Sequence, residues 1–500
     1  MPSIYLINPK SDYPNYYGAE VFNQLELPAV VFVADLSVAT VAALLPEDFE
    51  VALCEESLVP ADLDYSADYI CITGKLSQRM RMLELAREYQ LRGRTVILGG
   101  PYASLSSDMV RSHCDILVRG EIEPIASKLF DDLRSGQYQA EYQGAQADMS
   151  DTPIPRWDLF PNEHTLQGSL QTSRGCPFRC DFCDTIQYVG RKQRHKPPER
   201  VLKELDILYQ LGYRNIFLAD DNFTAHRPKA RDLLQALTDW NQQTSAGRVH
   251  FTSQISVDAA HHPELLAQCA KAGLNEAFVG IETPNSDSHK ENHKQQNLGG
   301  NLNRLVEIFV QQGVGVIGGL VVGFDADGSD IFQRQLEFAM ELPVPSFSVN
   351  ALNAPPGTPL FQRMEQEGRL LYDAESTGPV TPWWTNMQPK QMSRSELKQG
   401  ILWLVGQLYK PANFEHRMLR FIELFPDAEP GHRASGSPRR KVNIQALSVV
   451  RALSRLGVEE QAMIKHLSSA ARGKPESQRH LFASLFRYMQ IRNIYQVQRF

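Results

Sequence analysis

The sequence predicts an α/β protein in three parts: an N-terminal doubly wound parallel sheet, a central partial (βα)6 barrel of the TIM type and a C-terminal α-helical extension. Three observations predict it. Strand-like and helix-like runs alternate from residue 4 to residue 133. After a polar interruption, six further strand-like runs appear, each separated from the next by a helical pattern. Beyond residue 371 only helical patterns remain. With 500 residues, 42% hydrophobic and 22% charged, the chain has material for two or three cores.

In the first part the runs lie at 4–7, 38–44, 51–54, 69–73, 80–89, 96–98, 116–118 and 125–133. Doubly wound sheets bind ligands at the carboxyl ends of their strands, which here carry Asn8-Pro9, Thr73-Gly74, Gly99-Gly100-Pro101 and Gly120-Glu121. Glycines there admit a flat ligand close to backbone, or simply turn tight corners. The apolar stretch 29–45 is broken by Asp35, Ser37 and Thr40 and bounded by Pro28 and Pro46. It is short for a bilayer span and reads as a buried strand or turn leading into a helix. The opening residues lack the basic, apolar and small-residue pattern of a secretory signal, so the expected location is the cytoplasm.

A Gln-, Gly-, Asp- and Pro-rich linker at 141–168 separates the first domain, 1–140, from the barrel, 169–370. Barrel strands are expected at 170–173, 216–219, 249–255, 277–281, 314–322 and 347–352. Between them, spacings such as Leu233, Leu234, Leu237 and Trp240 set one apolar stripe against a sheet. The reactive end of such a barrel lies at its strand carboxyl termini. In the last domain, 371–500, the clearest helices are 397–409 and 444–456, and 426–440 reads as a loop. Its Arg439-Arg440-Lys441 run reads as a solvated face.

Fifty-one Lys and Arg against 58 Asp and Glu leave a net charge of −7, with neither sign massed as a nucleic-acid wrapper requires. No transmembrane segment and no basic amphipathic helix is evident, although an apolar substrate handed over at a membrane would require peripheral contact.

Cys54, Cys71, Cys114 and Cys269 are scattered singly, as reduced cytosolic thiols are, while Cys176, Cys180 and Cys183 form C-x3-C-x2-C within Ser173-Arg-Gly-Cys-Pro-Phe-Arg-Cys-Asp-Phe-Cys-Asp184. The trio follows the first barrel strand and so sits at the reactive end. Three thiolates on one short loop hold three corners of a cubane iron–sulfur cluster and leave the fourth iron open for chemistry. The alternatives are a structural zinc with His195 as fourth ligand, for which no second ligand knuckle is present, or three core cysteines.

With Phe182 before its third cysteine, this loop resembles the signature of the radical S-adenosylmethionine (SAM) superfamily. Asp220-Asp221-Asn222-Phe223, Gly280-Ile281-Glu282 and 319–325 (GLVVGFD) resemble the later motifs of that family in order. The resemblance implies a [4Fe-4S] cluster on Cys176, Cys180 and Cys183. Its free iron chelates SAM and cleaves it to a 5′-deoxyadenosyl radical, with Phe182, Asp221, Gln254, Gly280 and Glu282 around the cofactor. The plainer readings are that Asp220 and Asp221 cap a helix, that Glu282 pairs with a nearby cation, and that Phe182 packs in the core.

The first domain resembles the cobalamin-binding domain that precedes this barrel in one large subgroup, on Tyr69-Ile-Cys-Ile-Thr-Gly74, Gln78-Arg79, 96–104 (VILGGPYAS) and Arg119-Gly-Glu-Ile-Glu123. That implies cobalamin held by Thr73, Gly74, Gln78, Gly99, Gly100, Pro101, Ser104, Gly120 and Glu121. No D-x-H-x-x-G follows the first strand, so no histidine from there meets the cobalt. The chain also departs from the family at 33–39 (VADLSVA), where relatives show a Pro-Leu-Gly turn. The C-terminal part resembles the extension found in a group that includes hopanoid methylases, on 353–360 (NAPPGTPL), 367–370 (EGRL), Thr385-Asn386 and Tyr409-Lys-Pro411, together with Tyr188-Val-Gly-Arg191 and Lys294-Gln-Gln-Asn297.

The implied activity is a cobalamin-dependent radical SAM methyltransferase acting on an unactivated carbon of a small or lipid-like molecule, fed electrons by a flavodoxin or ferredoxin. A radical cyclase, rearrangement or coupling enzyme without methyl transfer is the second reading, and a corrinoid or cluster sensor the non-enzymatic one. The adjacent Trp383 and Trp384 are either part of an apolar substrate pocket or packing anchors.

Overall fold

The computed structural model describes every residue except 17, 19, 25–27, 427–451, 454, 456 and 497–500. Strand β1 (Ser3–Asn8) buries Tyr5, Leu6 and Ile7 and is followed by β2 (Val31–Val33), β3 (Glu50–Glu55), β4 (Tyr69–Thr73), β5 (Thr95–Gly99), β6 (Ile116–Arg119) and β7 (Glu141–Gln143). All but β2 form one six-stranded parallel sheet in the order β3-β1-β4-β5-β6-β7. Separate apolar clusters cover its two faces: Met82, Leu85 and Tyr89 of the helix Arg79–Leu91 on one, Leu129, Phe130 and Leu133 of the helix Ala126–Ser135 on the other. The strand order reverses between β1 and β4, where ligands bind in such sheets, and the carboxyl ends there are Asn8 and Thr73.

The second sheet contains β8 (Thr165–Leu170), β11 (Asn215–Leu218), β12 (His250–Gln254), β13 (Leu274–Glu282), β14 (Gly315–Val322) and β15 (Ser346–Ala351), with the two-residue strands β9 (Ser173–Arg174) and β10 (Arg194–His195) pairing antiparallel at its mouth. These six parallel strands are the barrel the alternation predicts, and β2 adds a seventh at the β8 edge. The first barrel strand lies five residues before the expected 170–173. It contains Gly168, where a side chain would run into the Tyr213 ring at 3.1 Å. The stretch 141–168 thus includes β7 and most of β8.

The helix Arg394–Leu408 covers the expected 397–409 and opens on a capping box between Ser393 and Glu396. It is followed by Pro411–Leu424, Val458–Ala470 and Pro475–Gln496. The expected helix 444–456 and loop 426–440 fall almost wholly outside the described residues. The long last helix closes the amino-terminal end of the barrel, where Arg487 donates to Glu276 of β13 at 2.8 and 2.5 Å. Burial opposes ionisation of Glu276, but Arg487 and His480 outweigh it and hold the carboxyl far below its usual range. Fully buried Arg417 gives its donors to the carbonyls of Val344, Pro345, Leu408 and Asn413 and thereby ties the extension to the start of β15. Among the described residues no helix is long and apolar enough to cross a membrane.

Candidate active site

The cysteine loop leaves β9 and is shaped by two aspartates at the end of β11. Asp220, buried, accepts from the backbone and hydroxyl groups of Thr172 and Ser173, and Asp221 accepts from the Gly175 N–H at 2.7 Å. The two carboxylates hold the cysteine loop instead of capping their own helix. Gly175 has φ of +101°, and a Cβ there would stand 2.5 Å from the Lys192 carbonyl. Burial raises the Asp221 carboxyl to about 6.

All three cysteines are free thiols. Burial raises Cys176, and lifts Cys183 to about 12, so these sulfurs ionise only when a cation compensates them. Among the described residues, no three His, Cys, Asp or Glu side chains converge on one ion. His195, the candidate fourth ligand of a zinc site, instead lies edge-on to His226 with ring centroids 5.3 Å apart. Burial lowers its pKa to about 4. The three thiols share one short loop, as three corners of a cubane with an open position require.

The opposite wall comes from the end of β13 and the turn after it. Glu282 has φ of +65°, and its carboxylate is bonded by Lys294 Nζ. Burial alone would lower the Lys294 pKa, but Glu282 more than offsets it, and the Cys180 and Cys183 sulfurs act in the same direction. A Cβ on Gly280 would meet Glu282 Oε1 at 2.4 Å and Lys294 Nζ at 2.7 Å, so the glycine makes room for this pair. Lys294 Nζ also stands 5.6 Å from the centre of the Phe182 ring, which packs edge-on against Phe324. The plainer readings of Glu282 and Phe182 therefore hold for their side chains. Both stay beside the cysteine loop, and the Glu282 carbonyl accepts from the Gln335 amide at 3.0 Å.

Between the two sheets lies a cavity of about 1100 Å³. The first domain supplies the carboxyl ends of its strands, including Thr73, Gly74, Gln78, Gly99, Gly100, Pro101, Gly120 and Glu121, while the barrel contributes Gln171, Arg174, Ala219 and Gln254. Gln254 is exposed toward this space. Of the other residues expected at a cofactor, Ser104, Phe182, Asp221, Gly280 and Glu282 do not line it. Ser104 sits behind it, donating to the Gly100 carbonyl at 2.8 Å and accepting from Gly120 N–H at 3.0 Å. The Gln78 amide donates to Asn8 and to the Pro9 carbonyl and accepts from Lys75 N–H, pinning the switch point rather than projecting free donors. Gly100, with φ of +89°, allows the close approach of Thr73, whose Oγ1 would stand 2.5 Å from a Cβ. An apolar arm of the cavity passes behind the strands, along Leu6, Ile97, Val118, Leu129 and Phe130. Among the described residues that line the cavity there is no histidine.

Glu121 is committed to an ion-pair cluster that sequence reasoning missed. Arg174, two residues before Cys176, donates to Glu121 at 2.7 Å and to Glu123 at 2.6 Å, and Arg194 adds two bonds to Glu121. Burial works against the Glu121 charge, but Arg194 and Arg174 together hold its pKa below the usual value. Lys294, Gln296 and Asn297 were also missed as site residues. The available signal was the Lys294-Gln-Gln-Asn297 segment that carries part of the resemblance, twelve residues beyond the end of β13 and after the helix Ser286–Glu291.

Residues 170–331 match the model of the radical SAM superfamily, and residues 358–497 match a domain of unknown function, DUF4070. An uncharacterised methyltransferase of Synechocystis sp. is 30% identical over 87% of this chain and 81% of its own length. The hopanoid C-2 methylase of Rhodopseudomonas palustris is 31% identical over 68% of this chain and 66% of its own. Among solved structures, the radical SAM methyltransferase TsrM of Kitasatospora setae, with cobalamin and a [4Fe-4S] cluster bound, superposes with a TM-score of 0.64 at 14% identity, covering 96% of this chain and 100% of that one. The chain belongs to the radical SAM superfamily of enzymes, in the family with an N-terminal domain of the cobalamin-binding type and a helical C-terminal extension.

Proposed function

We propose that this enzyme is a cobalamin-dependent radical SAM methyltransferase acting on an unactivated carbon of a small or lipid-like molecule. The observation that carries the reading is the cavity into which the strand ends of both sheets open, with Arg174, two residues before Cys176, on its wall and bonded to Glu121. Cys176, Cys180 and Cys183 would hold the cluster. SAM would lie against Phe182, Asp221, Gln254, Gly280 and Glu282, and the corrin over the strand ends from Thr73 to Gly120. When bound, these groups supply a 5′-deoxyadenosyl radical for hydrogen abstraction and a methyl group for the substrate carbon.

The residues present fit those groups. The apolar arm along Leu6, Ile97 and Val118 suits the flat aromatic base of a cobalamin tail, and the glycines at 99, 100 and 120 keep side chains off the corrin face. The protein's own work is orientation and exclusion of water. Asp220 and Asp221 fix the cysteine loop, Lys294 fixes Glu282, and the Arg174 cluster fixes the first domain against the loop. Val31, Phe32 and Val33 line the same cavity, an apolar wall in keeping with a lipid-like substrate. An external flavodoxin or ferredoxin would supply single electrons, and delivery of an apolar substrate would bring the enzyme to a membrane surface.

The test supplies SAM carrying a deuterated methyl group and a one-electron reductant to the anaerobic enzyme with apolar extracts. The expected result is 5′-deoxyadenosine together with a product heavier by a deuterated methyl. Deoxyadenosine with an altered but unmethylated product would favour cyclisation or rearrangement.

A further inference from the structure

Gln296 sits in the 3-10 turn Gln295–Asn297, between two residues pinned to the end of β13. On one side Lys294 is bonded to Glu282. On the other, Asn297 donates to the Gly280 and Ile281 carbonyls at 3.1 and 2.9 Å. The side chain between these anchors has little freedom, and its Nε2 donates to Cys180 Sγ at 3.3 Å. Its Oε1 is buried and has no partner among the described residues, so no donor to that oxygen draws the amide away from the sulfur. None of the steps assigned above uses this residue.

We propose that Gln296 sets the reduction potential of the iron–sulfur cluster by donating a hydrogen bond to its Cys180 ligand. The inference rests on the cluster assignment made above. Reducing the cluster by one electron adds negative charge that is shared with its sulfur ligands. An N–H dipole aimed at one of those sulfurs therefore stabilises the reduced form more than the oxidised form, and the potential rises. The donor is an uncharged amide on a pinned turn, so its effect persists at any pH at which the protein is folded.

The experiment compares the anaerobically reconstituted full-length protein with Gln296→Leu and Gln296→Glu. Iron and sulfide are counted for each, and the reduced fraction is followed by electron paramagnetic resonance during a potentiometric titration. At a fixed solution potential, removing the donor in Gln296→Leu is expected to lower the reduced-to-oxidised ratio about tenfold, equivalent to ~59 mV for one electron. Gln296→Glu, which places a carboxylate oxygen against the sulfur, is expected to lower it further. Full clusters in the variants with the native potential would overturn the proposal, as would loss of iron from both variants, which would make Gln296 a scaffold residue. A native protein that assembles no cluster would instead overturn the proposed function.

Discussion

Arg174 of the cysteine loop bonds both Glu121 and Glu123 at the end of β6, so the ligand-binding ends of the two sheets are joined two residues from Cys176. All three side chains are largely buried, and Arg194 completes the cluster. Arg174→Gln leaves two buried carboxylates short of a cation. Breaking such a pair costs about 3–5 kcal/mol. The expected outcome is a lower urea midpoint and a fall in cobalt retained after reconstitution, measured by denaturation and metal analysis. Unchanged cobalt retention would show that the cluster does not set the domain arrangement.

At Gly280 the constraint is steric. The Cβ of Gly280→Ala would fall within 2.7 Å of both Glu282 Oε1 and Lys294 Nζ, and the ion pair has to move. SAM affinity, read by equilibrium dialysis under anaerobic conditions, is expected to drop at least about tenfold, or ~1.4 kcal/mol, with the iron content unchanged. Native affinity would place SAM away from this strand end.

Cys176→Ala, Cys180→Ala and Cys183→Ala are each expected to abolish SAM cleavage. Cys269→Ala, which removes a fully buried thiol from the barrel core, should leave cleavage intact at a cost of about 1 kcal/mol in stability. Full cleavage in any trio variant would contradict the assignment of the cluster.

His480 gives the fold a pH dependence. Its Nε2 accepts from Arg479 at 3.0 Å, which requires the neutral ring, and burial followed by Arg479 lowers its pKa to about 4. The ring ionises near 6.5 when unfolded, so the unfolded chain binds the extra proton first. Stability is expected to be full above pH ~6.5 and to fall between about 6.5 and 4. The urea midpoint should decline across that window in the native protein and more gently in His480→Leu. Parallel declines would place the titration elsewhere.

Much of this architecture is legible in the amino-acid sequence. Valine- and isoleucine-rich runs give the later barrel strands, and the C-x3-C-x2-C spacing identifies the cluster loop. What escapes depends on partners distant in the chain. The short β2 pairs with β8 more than a hundred residues away, and nothing local marks it as a barrel strand. Glu121 stands among the cobalamin contacts that the resemblance implies and lines the cavity, but its ion-pair partners lie 53 and 73 residues further on and nothing local announces them. Glu282 lies within a motif, but its pairing with Lys294 depends on how the following turn folds back. Asp220 and Asp221 stabilise a loop some 46 to 48 residues earlier, a role that helix-capping rules do not predict.

The cofactor assignment as a whole is decided by anaerobic reconstitution with iron, sulfide and hydroxocobalamin, removal of the unbound fraction, and counting of iron, sulfide and cobalt per chain. About four irons and one cobalt are expected. Four irons without cobalt would contradict the assignment of the first domain and place radical rearrangement or cyclisation ahead of methyl transfer.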